Sequence, residues 1–198
     1  MIGIIDYNMG NLASVYNACK LIDADATIVK NPEDLKKFNR VILPGVGAYK
    51  DAMEHLVQTG MNEAVYEFAK TGKPMIGICL GMQLLFESSQ EFGHSDGLGL
   101  IDGHVIKFDK SKMHEDFKIP HMGWNTIKNK ENPLFEGLKD PYLYFVHSYH
   151  AVTSEKNIIG TTTYGYDFVS AVNKDNIYGL QPHPEKSHDN GLRILKNF

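Results

Sequence analysis

The first half of the chain alternates short apolar runs with longer segments in which apolar residues recur at helical spacing. The short runs predict buried strands at Ile2–Ile5, Ala26–Val29, Val41–Leu43 and Met75–Ile78. The periodic segments predict helices over Leu12–Ile22, Ala48–Leu56, Met61–Phe68 and Leu80–Phe86, and a helical turn opening at Asn31-Pro32. Strands separated by helices of this length indicate parallel βαβ units with helices on both faces of a sheet.

The second half is richer in strand-like patterns. We expect strands at Val105–Phe108, Tyr142–Val146, Ile158–Thr163, Phe168–Val172 and Ile177–Leu180, and a closing helix over Gly191–Phe198. No linker, internal repeat or low-complexity segment interrupts the pattern. The sequence therefore predicts one domain over residues 1–198, of class α/β, with an open, mostly parallel central sheet flanked by helices and an added antiparallel portion.

Composition narrows the function classes. Hydrophobic residues make up 42% and charged residues 22% of the 198 residues, which is typical of a globular protein. A net charge of −4 argues against binding to nucleic acid mainly by charge, and the apolar runs are too short to cross a membrane. Two cysteines, Cys19 and Cys79, cannot form a disulfide framework, so we expect a cytoplasmic protein.

The most informative segment is Gly77-Ile-Cys-Leu-Gly81, at the junction of a predicted strand and a predicted helix. It has the form of a nucleophile elbow, with cysteine in the place of serine. A helix N-terminus lowers the pKa of a thiol and offers free N–H groups to a developing negative charge. A buried cysteine that serves only as a small apolar side chain is the alternative. The flanking glycines favour the nucleophile.

A second segment, Gln181-Pro-His-Pro-Glu185, follows the last predicted strand. Since Pro184 disfavours helix, we expect extended backbone here, which places the side chains of His183 and Glu185 on one side. If this strand lies beside the one that ends at Ile78, His183 reaches Cys79 and Glu185 orients the imidazole. A surface turn with an incidental histidine and glutamate is the competing interpretation.

A glycine-rich loop, Pro44-Gly-Val-Gly-Ala48, follows the third predicted strand. Its backbone can approach a ligand closely and donate an N–H to an oxyanion. It lacks the glycine, lysine and hydroxyl pattern of a phosphate-binding loop and the third glycine of a dinucleotide fingerprint. On local sequence alone, a plain tight turn is equally compatible with this segment.

These segments together resemble the class I glutamine amidotransferases, which use a Cys–His–Glu triad. Within that family the chain is similar to the glutaminase subunits of imidazole glycerol phosphate synthase, of histidine biosynthesis. The motifs that carry the resemblance span nearly the whole chain. They are Ile4-Ile-Asp-Tyr-Asn-Met-Gly-Asn11, Leu43-Pro-Gly-Val-Gly-Ala48, Gly77-Ile-Cys-Leu-Gly-Met-Gln83, Pro120-His-Met-Gly-Trp-Asn125, Phe145-Val-His-Ser-Tyr149 and His183-Pro-Glu-Lys-Ser187.

The resemblance implies roles for individual residues. Cys79 is expected as nucleophile, His183 as acid and base, and Glu185 as the orienting carboxylate. Substrate and oxyanion contacts are expected from Gly45, Val46, Gly47, Leu80, Gln83, Ser148 and Tyr149. The implied partner is a (β/α)₈-barrel synthase that receives ammonia from glutamine, without any cofactor. Its interface is expected at Tyr7, Asn8, Met9, Asn11, Met122, Trp124 and Tyr144.

Several alternatives stay open on sequence alone. Pro182 replaces the aromatic residue that the family usually places before the histidine, and Tyr149-His150 and Lys186-Ser187-His188 resemble a paralogous group that feeds surface-sugar amidination. A γ-glutamyl peptidase or hydrolase uses the same residue types. Trp124 is equally compatible with core packing. His147 and His150 have no further ligands at metal spacing, so a metal site is not expected.

Overall fold

The computed structural model describes residues 1–113 and 117–198. The strands are β1 Ile2–Ile5, β2 Ala26–Val29, β3 Arg40–Leu43, β4 Met75–Ile78, β5 Ser88–Ser89, β6 Ser95–Asp96, β7 His104–Lys107, β8 His121–Thr126, β9 Lys128–Asn129, β10 Tyr142–His147, β11 Tyr149–Val152, β12 Ile158–Tyr164, β13 Tyr166–Lys174 and β14 Ile177–Leu180. The α-helices are α1 Leu12–Leu21, α2 Tyr49–Thr59, α3 Met61–Lys70, α4 Leu80–Leu84 and α5 His188–Asn197. In the described ranges, no helix has the length and apolar character needed to cross a bilayer.

The central sheet has the strand order β2-β1-β3-β4-β14-β13-β11-β7-β5-β6. Its first five strands run parallel, and β13 joins β14 antiparallel. Strand β12 pairs with β13 and β9, while β8 and β10 form a separate antiparallel pair. The predicted fold class, a mostly parallel sheet with helices and an antiparallel addition, is confirmed.

Every position of β1 and β4 is buried because helices cover both faces of the parallel strands. One face packs Ile5, Val41 and Met75 under α2 and α3. The other packs Ile4 and Ile76 under α1 and α5. Neighbouring residues of a strand thus enter opposite cores, which explains why these strands are continuous apolar runs rather than alternating ones.

Strand register brings the predicted functional segments to one edge. Leu43 of β3 pairs with Gly77 of β4, and Ile78 of β4 pairs with Leu180 of β14. The residues that follow these parallel strands therefore emerge side by side at the carboxyl ends, where open α/β sheets bind ligands.

The second half departs more from the prediction. The hairpin β5–β6 and the strands β8, β9 and β11 were not predicted, and α5 begins at His188 rather than at Gly191. The helix after Cys79 ends at Leu84, two residues earlier than expected. Two-residue strands such as β5 and β6 are too short to produce a recognisable alternation in the sequence.

Candidate active site

Three turns meet at the carboxyl edge of β3, β4 and β14 and enclose a cavity of about 530 Å³. Cys79 and Leu80 come from the turn after β4, Val46 and Gly47 from the turn after β3, and His183 from the turn after β14. The spatial neighbourhood expected for Cys79 and His183 is therefore observed, and the cavity opens to the outside.

Cys79 sits on a sharp turn between β4 and α4. Its backbone has φ +55° and ψ −113°, in the left-handed half of conformational space that costs a residue other than glycine about 1–3 kcal/mol. A Cβ on Gly77 would lie 2.5 Å from the carbonyl oxygen of Gly81, and one on Gly81 would lie 1.9 Å from that of Leu43. The predicted strand–turn–helix geometry, with glycines required on both sides, is confirmed.

His183 and Glu185 form a buried pair. Nδ1 of His183 lies 2.7 Å from Oε1 of Glu185, and the two side chains are 3% and 1% exposed. The predicted extended backbone is wrong for Pro184–Lys186, which is a 3₁₀ turn, whereas His183 directly before it is extended. Proline is well tolerated at the first position of a helical turn, where its missing N–H has no acceptor to lose.

The electrostatics of His183 favour its charged form. Burial lowers the pKa of His183. Two neighbours oppose burial, namely the negative charge and hydrogen-bonding sulfur of Cys79 and the hydrogen-bonded carboxylate of Glu185. Together they raise this pKa above its usual range. Nε2 of His183 is buried and has no regular hydrogen-bond partner among the described residues. A buried nitrogen of this kind is accounted for if it serves the sulfur or a bound substrate.

The glycine-rich loop lies directly on the start of α4. A Cβ on Gly45 would lie 2.7 Å from the backbone nitrogen of Gly81, so Gly45 packs against the start of α4. It does not line the cavity, where a substrate contact was expected. Val46 and Gly47 do line the cavity. Since Leu80 is the first residue of α4, its N–H has no acceptor within the helix. The loop and the helix start thus offer backbone donors to the same space.

Tyr7 requires a correction, because it was expected at a partner interface. It is 1% exposed, and its hydroxyl donates to the carbonyl oxygen of Pro44 at 2.9 Å. Its ring belongs to the same buried cluster as Ile5 of β1 and the inner face of α2, so Tyr7 holds the glycine-rich loop from the core side.

The other residues expected at that interface keep some exposure. Met122 is 63% and Trp124 37% exposed on β8. Asn8 is exposed, and Met9, Asn11 and Tyr144 are half-buried. Their contact with a partner stays a prediction.

The site also contains residues that were not assigned from the sequence, and three of them carry polar groups that bear on its chemistry. Glu91 and Lys107 line the cavity from the unpredicted hairpin and from β7. Gln181 is fully buried, and its Nε2 lies 3.8 Å from the sulfur of Cys79. Its place directly before the histidine motif was the available signal.

The residues that the resemblance assigns to glutamine binding lie in the cavity wall. Ser148, Tyr149 and Gln83 all line it. Nε2 of Gln83 donates to the carbonyl oxygen of Tyr149 at 3.1 Å and to Oε1 of Gln181 at 3.0 Å. Both N–H groups of Gln83 are therefore used inside the protein, which leaves its Oε1 for a ligand.

The histidines considered as metal ligands are hydrogen bonded in the interior. Nδ1 of His147 lies 2.7 Å from the carbonyl oxygen of Tyr149, and Nε2 of His150 lies 2.9 Å from the hydroxyl of Tyr166. Across residues 1–113 and 117–198, no group of three or more potential ligand side chains could hold a metal ion.

Comparison with known proteins shows the family to which this chain is similar. A model of the family "Glutamine amidotransferase class-I" matches residues 3–198. Imidazole glycerol phosphate synthase subunit HisH of Sulfurimonas denitrificans is 63% identical over 200 residues, which cover 100% of this chain and 97% of the relative. The subunit of the same name from Wolinella succinogenes is 61% identical over 201 residues, which cover 100% of this chain and 98% of the relative.

Solved structures show the same fold at low identity. A crystal structure of a glutamine amidotransferase superposes with a TM-score of 0.76 at 17% identity, covering 99% of this chain and 97% of the other. The structure of PurLQS from Thermotoga maritima also gives 0.76, at 20% identity, covering 99% and 95%. These matches support the architecture of the sheet and its flanking helices.

Proposed function

The chain belongs to the class I glutamine amidotransferases, and from this premise we propose that it is the glutaminase subunit of an imidazole glycerol phosphate synthase in histidine biosynthesis. It hydrolyses the side-chain amide of glutamine and supplies the ammonia to a synthase subunit. The observation that carries this proposal is the strained Cys79 beside the buried His183–Glu185 pair, at one open cavity. Two relatives named for this subunit match over the full length of the chain.

The reaction follows from the positions of these groups. The thiolate of Cys79 attacks the amide carbon of glutamine, and the N–H groups of Leu80 and of the glycine-rich loop hold the oxyanion. His183 protonates the leaving nitrogen, which departs as ammonia and leaves a glutamyl thioester on Cys79. His183 then takes a proton from water, the hydroxide attacks the thioester, and glutamate leaves. Glu185 keeps the imidazole in the required orientation throughout.

Charged residues at the cavity fit the amino-acid end of glutamine. Glu91 lines the cavity, and its Oε2 accepts from the backbone N–H of Tyr49 at 2.7 Å, which fixes the carboxylate. The α-ammonium of glutamine is complementary to Glu91 and to the open Oε1 of Gln83, and the α-carboxylate is complementary to Lys107. These contacts set the specificity for a free amino acid.

The partner follows from the product. Ammonia released into water at neutral pH is protonated and loses its nucleophilicity, so a synthase gains from receiving it directly. We assign the docking surface to the exposed side of β8 and β10, with Met122, Trp124 and Tyr144, and to the segment that contains Asn8, Met9 and Asn11. A (β/α)₈ barrel is the partner that the family resemblance implies.

Reconstitution with candidate synthases tests this proposal. The chain is co-purified with each candidate, and glutamate release and synthase product are measured with glutamine and, separately, with ammonium salt. Cys79→Ala is expected to abolish glutamate release and glutamine-dependent product, while ammonium restores product. Cys19→Ala is the matched control, because burial raises the pKa of Cys19 to about 11 and this thiol does not line the cavity.

Two results would contradict the assignment. Glutamate release that survives in Cys79→Ala excludes the nucleophile. Faster cleavage of γ-glutamyl peptides than of glutamine indicates a hydrolase instead. A synthase of surface-sugar amidination that responds, while the histidine-pathway synthase does not, reassigns the partner but keeps the glutaminase chemistry.

A further inference from the structure

The side chain of Gln181 lies between the sulfur of Cys79 and Gln83, which lines the cavity. It follows β14, is fully buried, and donates its backbone N–H to the carbonyl oxygen of Ser170 at 2.9 Å. Its side chain has two polar contacts: Oε1 accepts from Gln83, and Nε2 lies 3.8 Å from the sulfur. The reaction described above does not use this residue.

The orientation of the Gln181 amide is dictated by its neighbours. The carbonyl oxygen of Tyr149 can only accept, so Gln83 must present its NH₂ group there, at 3.1 Å. The same NH₂ group meets Gln181 at 3.0 Å, so Gln181 must present its oxygen. The NH₂ group of Gln181 is thereby turned toward Cys79. A reversed amide would place two NH₂ groups against each other, so the neighbours allow only this orientation.

We propose that Gln181 is a positioning residue for the nucleophile, whose side-chain N–H donates to the sulfur of Cys79 and stabilises it as a thiolate. This inference rests on the proposed role of Cys79. A thiolate is a stronger acceptor than a thiol, and a donor to a charged form favours that form. The neutral thiol has a competing contact, since it can donate to the carbonyl oxygen of Val146 at 4.0 Å. The contact with Val146 favours the neutral thiol, and the N–H of Gln181 favours the thiolate.

Other groups around the sulfur act in different ways. His183 is the cationic partner, and its orientation depends on Glu185. Burial, and then the charge of Cys79, raise the pKa of Tyr7, so this hydroxyl stays neutral. Burial lowers the pKa of His147 in the cavity wall, so that ring stays neutral too. Glu91 and Lys107 add one charge of each sign to the wall. Gln181 differs from these groups because it supplies a donor that does not titrate.

Alkylation of the sulfur tests the donor without requiring glutamine. The rate of reaction of Cys79 with iodoacetamide is followed by peptide mass spectrometry from pH 5 to pH 10 in the whole chain. Gln181→Met, which has nearly the same shape and no donor, is expected to lower the rate at pH 7 by roughly threefold to tenfold and to raise the midpoint by about half to one pH unit. Gln181→Glu is expected to raise the midpoint further, because a carboxylate repels the thiolate.

Thr162→Val is the matched control. The Thr162 hydroxyl donates to the Ser170 hydroxyl at 2.8 Å, buried in the neighbouring strands, without contacting the sulfur. It is expected to leave the alkylation profile unchanged. A wild-type chain that hydrolyses no glutamine in its complex would overturn the proposed function, whereas normal hydrolysis with unchanged alkylation in folded Gln181→Met would overturn only the role of Gln181.

A measurement on the unmodified sequence covers the case in which the variants do not fold. In a chain labelled with ¹⁵N-glutamine, the side-chain NH₂ resonances of Gln181 are expected to move as the sulfur ionises, and to stay in place over the same pH range in Cys79→Ala. If the Gln181 NH₂ resonances of the wild-type chain do not move as the sulfur ionises, the inference is overturned.

Discussion

The two sides of the candidate site are held by different forces. At the turn after β4, Cys79 is placed by backbone packing, since Gly77 and Gly81 leave no space for a side chain between β3, β4 and α4. At the turn after β14, His183 is placed by hydrogen bonds: its backbone N–H donates to the carbonyl oxygen of Tyr144, and its ring Nδ1 is hydrogen bonded to Glu185. The difference teaches that the proposed nucleophile is sensitive to shape, whereas the proposed acid and base residue is sensitive to charge and tautomer.

The largest effect is expected on the hydrogen-bonded side. Glu185→Gln keeps the shape but removes the charge that stabilises the imidazolium. If its NH₂ group faces Nδ1, it also stabilises the wrong tautomer of His183. We expect glutamate release by the complex to fall about 10³–10⁴-fold, with little change in the free energy of unfolding. The control is Glu155→Gln, an exposed carboxylate paired with Lys130. A loss below tenfold would remove Glu185 from the mechanism.

Substitutions in the backbone packing around Cys79 are expected to lower the stability of the fold. In Gly81→Ala the new Cβ would lie 1.9 Å from the carbonyl oxygen of Leu43, which is backbone and cannot move aside. We expect a loss of about 3 kcal/mol in the free energy of unfolding, measured by urea denaturation. Gly72→Ala is the control, because this position has φ +74° but open space, so only the strain of about 1 kcal/mol applies. Equal losses in both variants would contradict the packing argument.

The same difference explains what could be predicted from the sequence. Strands β1, β2 and β14 were predicted with the observed bounds because each is a short apolar run between clear breaks. The elbow at Cys79 was predictable because its glycines are local. The contact of Cys79 with Gln181 was not, because the residues are 102 positions apart and meet only through the parallel pairing of β14 with β4.

The errors have an equally physical cause. Tyr7 follows a buried strand, yet only the folded structure shows that its ring enters the core beneath the glycine-rich loop. The 3₁₀ turn after His183 differs from the prediction because Pro184 disfavours the interior of a helix but fits the first position of a short turn, where it stands here. Glu91 was missed with the short hairpin that carries it.

Acid sensitivity of the fold is expected to come from buried histidines on the antiparallel strands β8, β10 and β11. Burial lowers the pKa of His121 to about 4 and also lowers the pKa values of His147 and His150. Each stays neutral in the folded chain but gains a proton in the unfolded chain below about pH 6.5, so stability is full above that pH and falls as pH drops toward the folded-state pKa. We expect a loss of about 2 kcal/mol or more between pH 7 and pH 5, measured by urea denaturation.

The sign and the location of this effect can both be checked. His183 has a raised pKa, so its stabilising contribution is present below about pH 6.5 and is lost only as pH rises through its folded-state pKa, which is a separate window. His150→Gln is expected to reduce the acid loss, whereas His104→Asn, on an exposed position of β7, is expected to leave it unchanged. A free energy of unfolding that is constant between pH 7 and pH 5 would refute the assignment.

A smaller effect is expected where the two sides support each other. Tyr7→Phe removes the hydroxyl that donates to Pro44 at the base of the glycine-rich loop. Losing one buried hydrogen bond corresponds to about 1 kcal/mol, so we expect kcat to fall about fivefold while KM is nearly unchanged. Tyr16→Phe, on α1, is the control. An unchanged kcat would show that the loop is held without Tyr7.

The smallest effect on the isolated chain is expected at Trp124. Its ring stacks on His188, with centroids 5.1 Å apart, and on Tyr142 at 5.8 Å, but it remains 37% exposed. We expect Trp124→Ala to change the free energy of unfolding by less than about 1 kcal/mol, because a partly exposed ring loses little burial on truncation. The affinity for the synthase partner is expected to fall by more than tenfold, since exposed aromatic residues dominate interfaces. Leu21→Ala, a 73% exposed residue on α1, is the control and should change neither quantity. A collapse of the melting temperature with an unchanged complex would instead make Trp124 a packing residue, and the docking surface would then have to lie elsewhere on β8 and β10.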